Sequence, residues 1–363
     1  MPTFSDVTIS VIVPVYKGGE AFRRCLKALA EAMPAADEVI VVADGGMDHT
    51  PYPALEKALD VKILETPVRG GPSRARNVGA LAAKGEILFF VDADVTIQPD
   101  SIRKVKNIFC EEADLTAVFG SYDDAPAEPN FLSQYRNLLH HYVHQIGRED
   151  ASTFWGACGA IRREVFVALD GFDEELYHRP CIEDIELGYR LKKAGYKIRL
   201  CKTLQIKHLK RWGVFSILKT DFFQRALPWT DLMLRDRQFI NDLNVDISSR
   251  ISVMLTFGIV AALLGAGWWP GFLIVAALCS LPLLRLNAPL YRFFQRKRGL
   301  WFALKTIPWH WLYFFYSGLA FAIGLTRYAL SKPRMPNQEI SRESEKDLTS
   351  ISKIAKEVSV SPN

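Results

Sequence analysis

Glu86-Ile87-Leu88-Phe89-Phe90-Val91-Asp92-Ala93-Asp94 decides how this chain is read. The run from Ile87 to Val91 is too short for a core helix and fits a strand buried on both faces. It stops at two carboxylates two residues apart, at a strand end where both can reach one site. Hard oxygen ligands of this kind suit Mg²⁺ or Mn²⁺, which can bridge a diphosphate. Taken alone, an Asp-x-Asp triplet is equally at home in a surface turn, so its surroundings carry the weight.

Working outward, Val7 to Val15 is a β-branched strand, Glu38 to Ala43 a second and Val61 to Leu64 a third. Helical spacing separates them at Glu20 to Met33 and at Arg74 to Lys84. Strands alternating with helices predict an α/β fold, a Rossmann-like doubly wound parallel sheet with ligands at the carboxyl ends of its strands. The polar clusters fall at those ends. Pro14 closes the first strand, and Tyr16 just beyond it can stack a base or simply rim the core. Asp44, before Gly45-Gly46, can accept from a uracil N3–H or serve as a turn residue. Arg69-Gly70-Gly71-Pro72-Ser73-Arg74-Ala75-Arg76 opens a basic helix, either as an anion cradle or as a plain β-α turn. The middle is mixed, with a strand around Phe119 and helices at Asn130 to Gln145 and Ile182 to Ala194; residues 1–212 read as one domain.

The last third differs. No charged residue stands between Ile251 and Leu284, and Trp268-Trp269-Pro270-Gly271 interrupts the stretch in its middle. That is too long for one span of about 20 residues and predicts a membrane hairpin over roughly 250–286. A third apolar segment, about 304–326, holds only His310 as an ionisable group. Arg285, Arg292, Arg296, Lys297 and Arg298 lie between the two, so by the positive-inside rule that loop is cytoplasmic, as is the domain before it. A third crossing would carry Arg327, Lys332 and Arg334 outside, which leaves that segment's topology open. Residues 213–249 are amphipathic: Phe215, Leu218 and Phe222 share helical spacing, with Lys219 and Arg225 marking a charged side. The tail, 329–363, is rich in Ser, Glu and Lys and is expected to be disordered. The net charge of +5 is too small and too dispersed to argue for nucleic acid, and it suits an anionic membrane surface. Six cysteines without a CxxC pair, and an N-terminus without a signal-peptide pattern, fit reduced thiols in a cytoplasmic catalytic part of a multi-pass membrane protein.

The segments VIVPVYKGG, VVADGGMDHT, RGGPSRARNVGA, ILFFVDAD, FWGACGAIRREVF, GFDEELYHRPCIEDIELGYRL and HLKRW, in that order over residues 8–212, resemble the family 2 glycosyltransferases of GT-A fold. The resemblance implies an inverting transferase that takes a sugar from a nucleotide-sugar, with Mg²⁺ or Mn²⁺. It implies nucleotide contacts from Pro14, Tyr16, Asp44, Arg76, Asp92 and Trp212, and a metal on Asp94 with Asp92 and His208. Glu183-Asp184 matches the family's acidic pair at a helix start, with Asp184 as catalytic base; helix capping accounts for the same two residues locally. His208-Leu209-Lys210-Arg211-Trp212 keeps the register of a Gln-x-x-Arg-Trp motif with His in place of Gln, so Arg211 would face the diphosphate. Trp155 and Gly156 would line the sugar pocket. His140 and His144 share a helical face, but no carboxylate stands at matching spacing for a metal. The membrane segments favour a lipid or lipid-linked acceptor. A processive polysaccharide synthase and a non-catalytic nucleotide-sugar-binding membrane protein are the rival readings.

Overall fold

The computed structural model describes residues 7–45, 59–237, 243 and 246–330. Gly46 of the Asp44 loop and the tail from 331 lie outside the described residues.

Strands β1 (Ile9–Val15), β2 (Glu38–Asp44), β3 (Lys62–Thr66), β4 (Ile87–Val91), β5 (Val95–Ile97), β6 (Leu115–Tyr122), β7 (Cys158–Arg162) and β8 (Lys197–His208) form one sheet, in the order β3-β2-β1-β4-β7-β6-β8-β5. The first half is parallel, as the alternating pattern predicts: β1 pairs with β2 and β4, and β2 with β3. The second half departs from a purely parallel sheet. β7 runs antiparallel to both β4 and β6, and β5 runs antiparallel to β8. The reason is the path of the chain: residues 149–151 pair beside Ile198–Leu200 near the start of β8, the chain then runs to the ligand edge, and β7 enters the sheet from that edge with Cys158 opposite Val91. β4 and β6 are buried at every position, which explains the unbroken apolar run of β4.

Helices α1 (Glu20–Ala30), α2 (Gly71–Ala82), α3 (Ser101–Glu111), α4 (Phe131–Ile146), α5 (Arg163–Ala168) and α6 (Glu183–Lys193) belong to this layer structure. α2 begins at Gly71, three residues before Arg74, so the glycine pair is its N-terminus. α6 opens on Glu183, Asp184 and Glu186 and ends on Arg190, Lys192 and Lys193, a charge order that complements its dipole.

Beyond β8 come α7 (Val214–Lys219), a π-helical turn (Thr220–Ala226), α8 (Leu227–Asp236), α9 (Ile247–Gly265), α10 (Phe272–Arg298) and α11 (Leu300–Leu330). α9 and α10 are long and apolar enough to cross a membrane, and only 22% and 17% of their apolar windows are buried. Trp268 and Trp269 lie exposed in the turn between them. The third apolar segment is one continuous 31-residue helix, buried at Thr306, His310 and Phe314 among other positions. The amphipathic reading of 213–249 is altered in one respect. Phe215 is 87% exposed, whereas Arg225 lines an internal cavity instead of marking an outer charged face. The far end of α10 is fastened to the sheet domain: Phe294 packs with Tyr135 and Leu138 of α4, and Arg298 donates to Gln134 Oε1 at 2.7 Å and to the Asp124 carbonyl at 3.1 Å.

Candidate active site

The register of β5 on β8 sets the first pair. Val95 lies opposite His208, and the Leu209 N–H donates to the Asp94 carbonyl at 2.8 Å. His208 Nε2 then stands 3.5 Å from Asp94 Oδ2, while Nδ1 sits 2.9 Å from Asn137 Oδ1 and the ring stacks on Tyr122. With Nδ1–H given to Asn137, Nε2 faces Asp94: protonated, it donates to the carboxylate, and deprotonated, it presents the lone pair of a metal-binding imidazole. Among the described residues no group of three His, Cys, Asp or Glu side chains could hold a metal. The pair therefore offers two donors and leaves the rest to water and phosphate, a division that suits Mg²⁺ or Mn²⁺ and fits such an ion here. Burial opposes ionisation of Asp94, but the His208 hydrogen bond, the His208 charge and the Lys210 charge together hold its pKa below the ordinary value.

Asp92 turns the other way. Its Oδ1 accepts from Arg76 Nη2 at 2.7 Å, and Arg76 Nη1 reaches Glu183 Oε1 at 2.9 Å. The second Glu183 oxygen accepts the Cys181 N–H at 3.0 Å. A guanidinium this buried is tolerable because two carboxylates share it, and it ties the end of β4 to the start of α6. Burial, with the Asp94 charge, pushes the Asp92 pKa up against the pull of Arg76.

Asp184 is the second residue of α6, in its first turn. Its Oδ2 accepts the Gly156 N–H at 3.0 Å and its Oδ1 the Ile185 N–H at 2.8 Å. Helix α6 comes this close because Gly188 has no side chain: a Cβ there would fall 2.4 Å from the Phe154 nitrogen. Burial first, then the Glu183 charge, raises the Asp184 pKa to about 6, against the Gly156 N–H, Arg76 and Arg225. A carboxyl group poised there can take a proton near neutral pH.

Asp44 is buried, and its carboxylate accepts the Gly70 N–H at 2.7 Å and the Gly71 N–H at 2.9 Å. The anion cradled at the N-terminus of α2 is therefore the chain's own. Gly71 holds φ at 87°, and a Cβ would lie 2.4 Å from the His178 carbonyl, so the turn requires glycine. Pro14 is half-buried in the β1–β2 ladder opposite Val42. Tyr16, 43% exposed, carries the Arg69 guanidinium 3.8 Å from its ring centre, the position a base would take.

Trp155 is buried edge-on to Tyr122 and lines the cavity described below; a Cβ on its neighbour Gly156 would fall 3.1 Å from Arg76 Cζ. Trp212 packs with Leu132 and Ile217, and its N–H donates to Ser133 Oγ at 2.7 Å. The Arg211 side chain is 72% exposed and reaches Glu128 at 3.5 Å, whereas the Lys210 ammonium lies 4.2 Å over the Trp212 ring, where its charge is felt at Asp94. His141 and His144 bind backbone carbonyls of β6 through Nδ1, at 2.7 and 3.0 Å. Burial lowers the His144 pKa to about 4 and the His140 pKa well below its usual value, so both are neutral. Asn137 escaped the sequence reading, and Lys210, Arg225 and Arg69 were named there without a place in the site. Lys210 stands within a motif already quoted, but nothing local marks Asn137.

From Trp155 and Asp184 a cavity of about 690 Å³ runs between the sheet domain and the C-terminal helices, reaching Val253 and Phe257 of α9 and Phe321 of α11. Its walls are largely apolar, and the charged groups on them are Asp184, Arg136, Asp221, Arg225 and Arg250.

Residues 10–169 match the family described as glycosyl transferase family 2. The pre-mycofactocin glycosyltransferase of Mycobacterium tuberculosis is 27% identical over 207 residues, which are 54% of this chain and 41% of that protein. A glycosyltransferase of Haemophilus influenzae is 25% identical over 238 residues, covering 61% of this chain and 75% of that one. The chain thus spans about two fifths of the mycobacterial relative. Among solved structures, the mannosyltransferase PcManGT of Pyrobaculum calidifontis, in complex with GDP-Man and Mn²⁺, superposes with a TM-score of 0.51 at 17% identity over 88% of both chains, a likeness of fold. Strand order, ligand edge and family match agree: residues 10–169 match the glycosyl transferase family 2 domain, on a sheet of GT-A-type fold.

Proposed function

We propose that this protein transfers a sugar, with inversion, from a nucleotide-sugar to a hydroxyl of a lipid or lipid-linked acceptor held in the membrane, with a divalent metal bound. The observation that carries the reading is the cavity that begins at Asp184 and ends among membrane-type helices. A soluble acceptor has no use for such walls; an acyl or prenyl chain does. The exposed apolar faces of α9 and α10 belong in a bilayer, since faces of that extent are rare on soluble monomers. Residues 1–212 then form the transferase domain on the cytoplasmic side, 213–249 the interfacial region and 250–328 the membrane region.

In the reaction Asp184, whose carboxylate accepts the Gly156 N–H, takes the proton of the acceptor hydroxyl. Asp94 and His208 would hold Mg²⁺ or Mn²⁺, which supplies charge compensation to the departing diphosphate. Lys210 adds positive charge on the same side. Arg76 keeps Asp92 and Glu183 in fixed relation, and the resemblance of the motifs implies that Asp92 lies near the nucleotide ribose or the metal. A UDP-sugar donor and inversion of the anomeric centre follow from the resemblance of the motifs, with Tyr16 and Asp44 at the base.

The test uses full-length protein in nanodiscs with Mn²⁺, offered UDP- and GDP-sugars and total membrane lipid, with products read by mass spectrometry. Addition of a single sugar mass to a lipid, with inverted configuration by NMR, is expected. Long polysaccharide would instead support a processive synthase, and sugar on soluble acceptors alone would overturn the lipid reading.

A further inference from the structure

Arg225 stands out among the charged groups of the cavity. Asp221 lies four residues before it, the spacing at which an acid and an arginine pair on an α-helix. Yet the Asp221 carboxylate is spent elsewhere: Arg136 Nη2 lies 2.6 Å from Oδ1, and the Tyr316 hydroxyl donates to Oδ2 at 2.6 Å. Arg136 is thereby neutralised, and Arg250 has an interaction of its own. Arg225 has no hydrogen-bond or ion-pair partner among the described residues, although it is half-buried in a largely apolar cavity. A guanidinium in such surroundings is costly unless an anion joins it. It is carried on a π-helical turn, a distortion found most often at functional sites. It also lies near enough to Asp184 to favour the ionised carboxylate.

We propose that the acceptor is a phospholipid with a hydroxylated head group, its phosphate held by Arg225, its hydroxyl presented to Asp184 and its chains lying along α9 and α11. This rests on the lipid-acceptor reading above and adds the chemistry of the head group. Asp184 as base requires an O–H nucleophile, the unpaired Arg225 requires an anion, and the apolar walls require a chain. One molecule supplies all three if its phosphodiester separates the chain from the hydroxyl. The acceptor oxygen forms a bond to the anomeric carbon as its proton passes to Asp184. The bond from that carbon to the diphosphate oxygen breaks, and the nucleoside diphosphate leaves with the electron pair.

The experiment uses full-length protein in phosphatidylcholine nanodiscs containing phosphatidylinositol, phosphatidylglycerol, diacylglycerol or a polyprenyl phosphate, with Mn²⁺ and the accepted nucleotide-sugar. Phosphatidylinositol or phosphatidylglycerol is expected to gain one sugar. Arg225→Ala should raise the KM for that lipid about 10- to 100-fold, the effect of losing a hydrogen bond to a charged group, and leave the donor KM within about twofold. Arg225→Lys should fall between the two, and its elution as wild type on size exclusion guards against misfolding. Equal use of diacylglycerol, preference for the polyprenyl phosphate, or a rise in donor KM on Arg225→Ala would each overturn the proposal while leaving a lipid acceptor in place. Transfer to soluble acceptors alone would remove both.

Discussion

The two sides of Asp184 are built on opposite principles. Toward the sheet edge almost every charge is answered within the chain: Arg76 by Asp92 and Glu183, Asp94 by His208, Asp44 by the Gly70 and Gly71 N–H groups. Toward the apolar C-terminal helices the walls are apolar, and Arg225 has no hydrogen-bond or ion-pair partner among the described residues. The first side is rigid and set before a donor arrives, which is how electrostatic stabilisation is best delivered. The second offers apolar walls with a cationic group, Arg225, near the carboxylate of Asp184.

The sharpest way to break this contrast is at the boundary itself. Asp184→Asn keeps the shape and removes the base, so transfer should fall about 10²- to 10⁴-fold, while donor affinity, measured by calorimetry, stays near wild type. Loss of donor binding instead would move Asp184 to the donor side. Next comes the sheet edge. Arg76→Met leaves the buried Glu183 carboxylate and the half-buried Asp92 without a counter-charge, and breaking a buried pair such as Arg76–Glu183 costs roughly 3–5 kcal/mol. The midpoint of thermal unfolding should drop clearly, and a variant as stable as wild type would show that the network is not what fixes this edge.

How much of this was legible in the residues follows the same divide. Ile87 to Asp94 announced its strand and its carboxylates because both faces of β4 are buried and the run stops where the backbone turns. The parallel half was readable from alternation; the antiparallel β7 was not, because its direction depends on a path around the ligand edge that no local pattern records. Asp44 and the Gly70-Gly71 loop were each noticed, but their union needed the fold, since 26 residues separate donor and acceptor. Asn137 and Arg225 were invisible as site residues. The first looks like any polar helix position, and the second was read with Lys219 as the charged side of an amphipathic stretch, without the π-helical turn that carries it.

A smaller effect sharpens the donor side. Asn137→Ala removes the partner that fixes the His208 ring, with Nδ1 2.9 Å from its oxygen. Partners of this kind typically matter 10- to 100-fold for metal affinity, so the Mn²⁺ concentration giving half-maximal rate should rise by roughly that factor. No change would mean that His208 does not face a metal.

The last effect is one of sign. The Asp184 pKa is raised to about 6 by burial and by Glu183, so only the form above that pH can act as base. The rate at subsaturating substrate should rise about tenfold per pH unit below 6 and level off above it, a limb absent in Asp184→Asn. Stability runs the other way. A raised folded pKa means the native state holds this proton more tightly than the unfolded chain, so the contribution is complete below the ordinary aspartate value of 3.8 and is lost as pH climbs through 6. The ionised form that works is the form that strains the fold, and replacing it with a neutral amide should relieve that strain. At pH 8 Asp184→Asn should therefore unfold at a higher temperature than wild type, and at pH 4 the difference should vanish. A variant less stable at pH 8 would show that Asp184 is a stabilising cap of α6 and not a base held ready beside the cavity.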